Sequence, residues 1–438
     1  MFMLVYFVSF GVVDFNDLVL HRDLPDTGLG AGLSKAEVVI LLGGLMLVLG
    51  YRVTALLMDS DGRAVTAREW PLPTILFIGL MGWVAGTVAT YRWYVYIIPD
   101  TTDESMRRGL ASLGSLWQDV YLLGQMCQPL GILLLVYAFR VTRSPILFAL
   151  VIVIVLVQML IGFIADVKGL AMLGLILVMV TSVLVDGKVP KAWLVLGLLF
   201  VTFLFPLYTS YRATIHGAGI ARATVLENFA AILQKTIAAE HKVNSGKERA
   251  PTFLERSSVK ATVEVIVAKA GNSVEFARGY TLSPIPQAFI PKIVWSDKKW
   301  IPAGQLLNKQ FHVVEGDEVF ISGSHLGELY WNFGWSGVVL GMTIIGVICA
   351  WVGTRFNVAE YRTATRVLVT IITIKQLIVS FESSISDCYV VWLRSLAGIG
   401  LLHLLFARIP VAGRATSERA RKSFDSIATS RPFPNLLT

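Results

Sequence analysis

The residues best suited to chemistry gather at one point of the 438-residue chain. The stretch is Ser324-His325-Leu326-Gly327-Glu328-Leu329-Tyr330-Trp331-Asn332-Phe333-Gly334-Trp335-Ser336-Gly337. It opens an apolar helical run, with Ser324 as a helix-cap candidate. His325 and Glu328 are three residues apart, which puts them on one helix face. A carboxylate in apolar surroundings is costly without a partner or a task. Either side chain could take a proton from a hydroxyl as general base. The plainer alternative for Glu328 is a buried ion pair that orients an arginine.

A second set of residues could hold an anion. Arg212 follows an apolar run in Leu207-Tyr208-Thr209-Ser210-Tyr211-Arg212. A guanidinium there sits level with lipid phosphates and can grip one with two hydrogen bonds; simple snorkelling at a helix end is the alternative. Lys168 lies in Ala165-Asp166-Val167-Lys168-Gly169, between two apolar runs. So short a link keeps the charge near a membrane boundary, where Lys168 could equally pair with Asp166. Arg278 opens Arg278-Gly279-Tyr280-Thr281, and the chain then alternates Pro, aromatic and basic residues from Pro284 to Lys299. That composition suits a rigid segment with aromatic faces for sugars and cations for phosphate. Cys127, Cys349 and Cys388 sit in or beside apolar runs without CxxC spacing, so they read as packing residues. Asp317-Glu318 is a lone acidic pair, and no P-loop, GxSxG or HExxH occurs. Neither a metal site nor a cofactor is expected.

These residues must be positioned by membrane helices. The chain is 55% hydrophobic and 16% charged, against roughly a quarter charged in soluble domains. A span needs roughly 20 apolar residues. A short first run at Met1 to Val13 has no basic n-region and reads as a span rather than a signal peptide. Nine more follow at roughly 36–57, 72–91, 118–139, 145–165, 169–185, 191–209, 326–352, 365–381 and 388–407. The fold class is therefore an all-α, polytopic transmembrane bundle of about ten helices. Arg140 and Arg143, Lys188 and Lys191, Arg355 and Arg362, and the tail from Arg408 to Lys422 fall on alternate links. Short-loop Lys and Arg mark the cytoplasmic side, which puts both termini there. The formal net charge of +8 is partly this topological excess, and no nucleic-acid partner is inferred from it.

The opposite side receives 22–35, 92–117, the Asp166–Lys168 turn, the 210–325 stretch and the Glu382–Asp387 turn. The 92–117 link begins in an aromatic belt of Tyr91, Trp93, Tyr94 and Tyr96. The organisation is thus 1–209 as N-terminal transmembrane helices, 210–325 as a large outer loop, 326–407 as C-terminal transmembrane helices, and 408–438 as a basic tail. The outer loop far exceeds ordinary loop lengths. Amphipathic helices are expected over Val225 to Ile237 and Val259 to Ala270. The loop carries 14 basic and 10 acidic residues. A net positive loop on this side suits an anionic ligand at the membrane surface; a solvated face with scattered ion pairs is the alternative. No internal repeat is found.

Taken together, four features resemble the Wzy-type polymerases of O-antigen and exopolysaccharide. They are the Lys168-Gly169 turn before a Leu-rich helix, Arg212 after the next helix, the Ile290-Pro291-Lys292-Ile293-Val294-Trp295-Ser296-Asp297-Lys298-Lys299 segment, and the Glu328-Leu329-Tyr330-Trp331-Asn332-Phe333-Gly334 helix start. Ser296 and Lys299 stand where proline is common in that family. The resemblance covers about 165–345, and it implies a GT-C-like fold in a bacterial inner membrane with the large, mostly helical loop in the periplasm. It implies polymerisation of polyprenyl-pyrophosphate-linked oligosaccharide repeats by glycosyl transfer without a metal. Arg212, Arg278 and Lys168, assisted by Lys292 or Lys299, would neutralise the leaving pyrophosphate. Glu328 or His325 would be the base, and Asn332 would orient the sugar or the loop. The lipid-linked oligosaccharide, the bilayer and a chain-length regulator protein are the partners implied. Three other readings stay open: a ligase-like glycan transferase; a lipid-linked oligosaccharide flippase or transporter, for which Lys375 and Gln376 would line a deep polar path; and a non-catalytic scaffold of a polysaccharide-export complex.

Overall fold

The computed structural model describes residues 34–58, 67–94, 115–165, 167–188, 191–199, 211, 234, 259–290, 294–295, 303–313, 321–358 and 362–411. Their order is α1 (Lys35–Met58), β1 (Ala67–Glu69), α2 (Leu72–Arg92), α3 (Ser115–Thr142), α4 (Pro145–Ile164), α5 (Lys168–Asp186) and α6 (Lys191–Leu199). Then come α7 (Lys260–Lys269), α8 (Ala303–Phe311), α9 (Ser324–Arg355), α10 (Ala364–Thr373), α11 (Ile385–Phe406) and β2 (Ile409–Val411). The chain is a helical membrane bundle, to which the structure adds a short antiparallel pair, β1 with β2.

Local chemistry explains the helix starts. At α1 the Glu37 N–H donates to Ser34 Oγ at 3.2 Å, while Ser34 N–H donates to Glu37 Oε2 at 2.7 Å, a reciprocal capping box. At α11 the Asp387 N–H donates to Ser384 Oγ at 3.2 Å, and that hydroxyl donates to Asp387 Oδ2 at 2.8 Å. Pro145 opens α4, where its missing N–H costs nothing.

Among the described residues, α1, α2, α4, α5, α9 and α11 are long and apolar enough to cross a membrane. Of the other runs expected from sequence, α3 is a continuous helix of 28 residues that includes the apolar stretch Met126–Thr142. α10 is ten residues long and passes directly into a π-helical turn, Ile374–Val379. α6 is described for nine residues. The expected short span at 1–13 and the expected helix over Val225 to Ile237, apart from the single residue Gln234, lie outside the described residues.

Leu41, Leu45, Leu49, Phe77, Val84 and Leu340 are among the large apolar side chains exposed on the outer helix faces, as lipid contact requires. Helices meet through small residues, which let backbones approach closely. A Cβ on Gly346 of α9 would stand 2.2 Å from the Leu47 carbonyl oxygen of α1, and one on Gly131 of α3 2.3 Å from the Trp83 nitrogen of α2. Either substitution would force these pairs apart.

The bundle has two distinct ends. At the basic end, β2 after α11 pairs with β1 before α2. Glu69 of β1 sits beneath this pair and collects the Trp70 N–H on Oε1 at 2.8 Å and the Ala364 N–H on both oxygens at 3.2 Å. Tyr137 Oη lies 2.5 Å from its Oε2 and 2.6 Å from the Arg362 carbonyl oxygen. Burial raises the Glu69 carboxyl above its ordinary value, against the pull of these hydrogen bonds. Also at this end, Arg140 and Arg143 grip Asp186 at 3.2 and 2.5 Å.

At the other end α9 is roofed by a cap. Val263, Ile266 and Val267 of α7 are buried, and α7 packs on both α9 and α1. Phe311 of α8 meets Trp331 edge-on at 5.3 Å, and Trp331 Nε1 donates to the Glu275 carbonyl at 3.2 Å. Lys260 of α7 pairs with Glu37 of α1 at 3.3 Å.

A kink divides α9. Gly334 has φ 61° and ψ −141°, a conformation that glycine alone reaches without strain. Every residue from Ser324 to Asn332 is buried, whereas Phe333, Trp335, Leu340 and Ile344 are exposed. The first segment is therefore enclosed by protein on all sides. The second, at about 1.5 Å per residue, is about as long as a bilayer is thick.

Candidate active site

The enclosed segment of α9 carries three of the residues singled out from sequence, and a fourth touches it. Ser324 N–H donates to the Glu382 carbonyl at 3.1 Å, and His325 N–H to that of Phe381 at 3.0 Å. The bends before α11 thus take up N–H groups that open a helix without partners. Ser324 Oγ accepts from the Gly327 N–H at 3.3 Å, which is what a capping side chain does.

Glu328 is 2% exposed. Its Oε2 accepts the Ile385 N–H at 2.6 Å. Its Oε1 is buried and accepts no hydrogen bond of full geometry among the described residues. The Thr281 hydroxyl lies beside the carboxylate without reaching hydrogen-bonding geometry to Oε1. The ion pair with an arginine, weighed as the plainer alternative, is not found among the described residues; the first turn of α11 holds this carboxylate instead.

His325 is fully buried and stacks on Phe381 at 5.0 Å. Its Nδ1 lies 3.0 Å from the Ser383 carbonyl oxygen. A carbonyl only accepts, so Nδ1 carries a proton. Nε2 is buried without a partner among the described residues, and in the neutral ring it holds the lone pair.

Asn332 binds the 277–281 turn to α9. Its Oδ1 accepts the Gly279 N–H at 2.8 Å, and its Nδ2 donates to Thr281 Oγ1 at 2.7 Å and to the Glu328 carbonyl at 2.8 Å. The Ala277 and Arg278 N–H groups donate to the carbonyls of Trp331 and Asn332 at 3.0 and 3.1 Å. Arg278 itself has a positive φ of 49°. Its side chain is exposed and makes no ion pair among the described residues. Tyr280, Trp295, Phe333 and Trp335 are exposed aromatics of this end.

The structure therefore brings together Arg278, His325, Glu328 and Asn332. Lys168 forms the first residue of α5, and its side chain is not among those described. Arg212, Lys292 and Lys299 lie outside the described residues. Tyr211, just before Arg212, packs edge-on against Phe163 of α4 at 6.0 Å.

Beyond the 380–385 bends lies a cleft of about 350 Å³, bounded by α3, the π-helical turn and α11. Lys375, Gln376, Ser383, Asp387 and Arg394 line it. Ser383 joins this cleft to the α9 site, since its carbonyl accepts from His325. A π turn adds a residue to a helical turn and marks functional sites in many helices. Lys375 and Gln376 stand out in sequence as polar residues of an apolar span. Asp387 and Arg394 were missed. With Val391 between them they recur at helical spacing, four and then three residues apart, and that periodicity is the signal that could have found them.

Comparison with known proteins returns no match: no family model, no curated protein and no solved structure is similar to this chain.

Proposed function

We propose that the chain is a membrane glycosyltransferase that polymerises polyprenyl-pyrophosphate-linked oligosaccharide repeats into O-antigen or exopolysaccharide. In this reading the bundle has about ten spans and a GT-C-like fold. The basic end faces the cytoplasm with both termini, and the cap faces the periplasm.

The observation that supports the reading is a buried carboxylate with one oxygen held by Ile385 and the other, among the described residues, faced only by the Thr281 hydroxyl, beneath a turn that presents an exposed arginine. An acceptor hydroxyl attacks the anomeric carbon of the growing chain, and the new C–O bond forms as the bond to pyrophosphate breaks. The hydroxyl proton passes to Glu328 Oε1, with His325 Nε2 as the second acceptor of the site. The bonding pair leaves with the polyprenyl pyrophosphate. Arg278 and the cations of the adjoining cleft, Lys375 and Arg394, neutralise that developing charge. Glu328 is reached when the 277–281 turn lifts from α9, so the hydrogen bonds of Asn332 close the site between turnovers. The exposed aromatics are faces on which sugar rings stack.

The test is reconstitution of the full chain in liposomes with lipid-linked repeats. A ladder of lengthening products is expected. Single capped products would instead assign a ligase-like transferase. The cleft lined by Lys375 favours a second reading, a lipid-linked oligosaccharide flippase; transfer of labelled lipid between leaflets without product ladders would favour it over the first.

A further inference from the structure

At the basic end, opposite the candidate site, a cavity of about 610 Å³ opens where α9 ends, α10 begins and α11 ends. Arg68, Arg355, Arg366 and His403 line one part of it. Trp351, Leu396 and Ile399 line another. We propose that this cavity binds one anionic glycerophospholipid, with the phosphate on the arginines and an acyl chain along the apolar wall.

Three observations carry this assignment. First, three arginines from three separate segments meet His403 from a fourth, and among the described residues no acid lines the cavity. The nearby carboxylates are engaged elsewhere: Glu69 by Trp70, Ala364 and Tyr137, and Asp186 by Arg140 and Arg143. Second, the segments that carry three of these side chains are fixed. Arg68 is paired in register with Pro410 across the two strands, Arg366 Nη1 donates to the Asn357 carbonyl at 3.2 Å, and His403 Nδ1 lies 2.8 Å from Thr365 Oγ1. Third, the apolar wall belongs to helices that run into the bilayer, and Trp351 is 44% exposed. A Cβ on Gly400 would meet nothing within 4 Å, so a slot stands open beside the wall. A soluble anion would use the arginines and leave that wall wet. A lipid satisfies both parts, as basic pockets between transmembrane helices do elsewhere.

The experiment is native mass spectrometry and thermal melting of the full chain in detergent, titrated with phosphatidylglycerol. One tightly retained lipid per chain and a raised melting temperature are expected. Phosphatidylcholine should be retained about tenfold less, and Arg68→Ala with Arg355→Ala, both exposed positions, should weaken phosphatidylglycerol by about tenfold. Gly400→Phe keeps every cation and fills the slot, and it should abolish the retained lipid. Equal retention of the two lipids, or undiminished retention in Gly400→Phe, would overturn the proposal. So would displacement of the lipid by millimolar inorganic phosphate, which would mark a site for the free anion. Should the double arginine variant fail to fold, the lipid comparison and Gly400→Phe still decide.

Discussion

Each end of the bundle draws a carboxylate inward, Glu328 buried and Glu69 half-buried, and the two are treated in opposite ways. Glu69 at the basic end receives hydrogen bonds on both oxygens from three different segments. Among the described residues, Glu328 at the capped end receives one of full geometry, on Oε2, and its Oε1 is left open. Burying an acceptor without a donor costs roughly 1–3 kcal/mol. A fold that needed Glu328 only as a bracket could supply the second donor, as it does for Glu69. The difference separates a carboxylate that joins segments from one with capacity to spare.

Substitution to glutamine tests the contrast most sharply. Glu328→Gln retains an oxygen for the Ile385 N–H but cannot take a proton, so product laddering should fall about 100-fold with little change in melting temperature. Glu69→Gln should leave laddering within about twofold, since no proton transfer is assigned to it. Equal losses in the two variants would erase the distinction. The next largest effect is on stability. Asn332→Ala removes three side-chain hydrogen bonds and should lower unfolding free energy by about 2–3 kcal/mol, read by denaturant titration in detergent. The 277–281 amides should also exchange faster with deuterium, and unchanged exchange would mean that Asn332 does not hold the turn. Arg278→Ala should cost roughly tenfold in laddering with no loss of stability, and Arg278→Lys should restore part of it, because the guanidinium is solvent-exposed and its charge is screened.

The smallest effect concerns pH. The folded state raises the Glu69 carboxyl above its ordinary value through burial. It therefore holds that proton more tightly than the unfolded chain does. The associated stability is fully present below the ordinary carboxylate value and is lost as pH rises through the elevated one. Geometry gives the same sign: Tyr137 has one proton for two close acceptors, Glu69 and the Arg362 carbonyl, and a protonated Glu69 supplies the second. Melting temperature should drift downward across that window, and Glu69→Gln, whose amide donates in the same place, should flatten the drift.

Much of the frame was legible because its determinants are local. Apolar runs give spans, and Ser324 at the start of one reads as the cap that its bond from the Gly327 N–H makes it. Glu328 stood out because a charge inside an apolar run is expensive. Its partner did not, since Ile385 is 57 residues away and donates through a backbone group that every residue but proline possesses. The kink at Gly334 is equally silent, because Gly337, Gly341 and Gly346 follow in the same helix and each serves as a packing contact instead. Glu69 drew no notice either, since it lies between spans, where carboxylates are ordinary. Three arginines and a histidine from four segments converge on the lower cavity only after the helices have packed.

The bend in α9 solves a problem of direction. A chain that must travel sideways beneath a lid and then plunge through oil would ordinarily do so with a loop, whose bare amides hydrocarbon cannot tolerate. Gly334 turns the corner in a single residue, next to aromatic rings that face outward at the same level. The upper arm can then be fastened to the cap and the bends before α11 while the lower arm packs on α1 through Gly346, so each is held by its own surroundings.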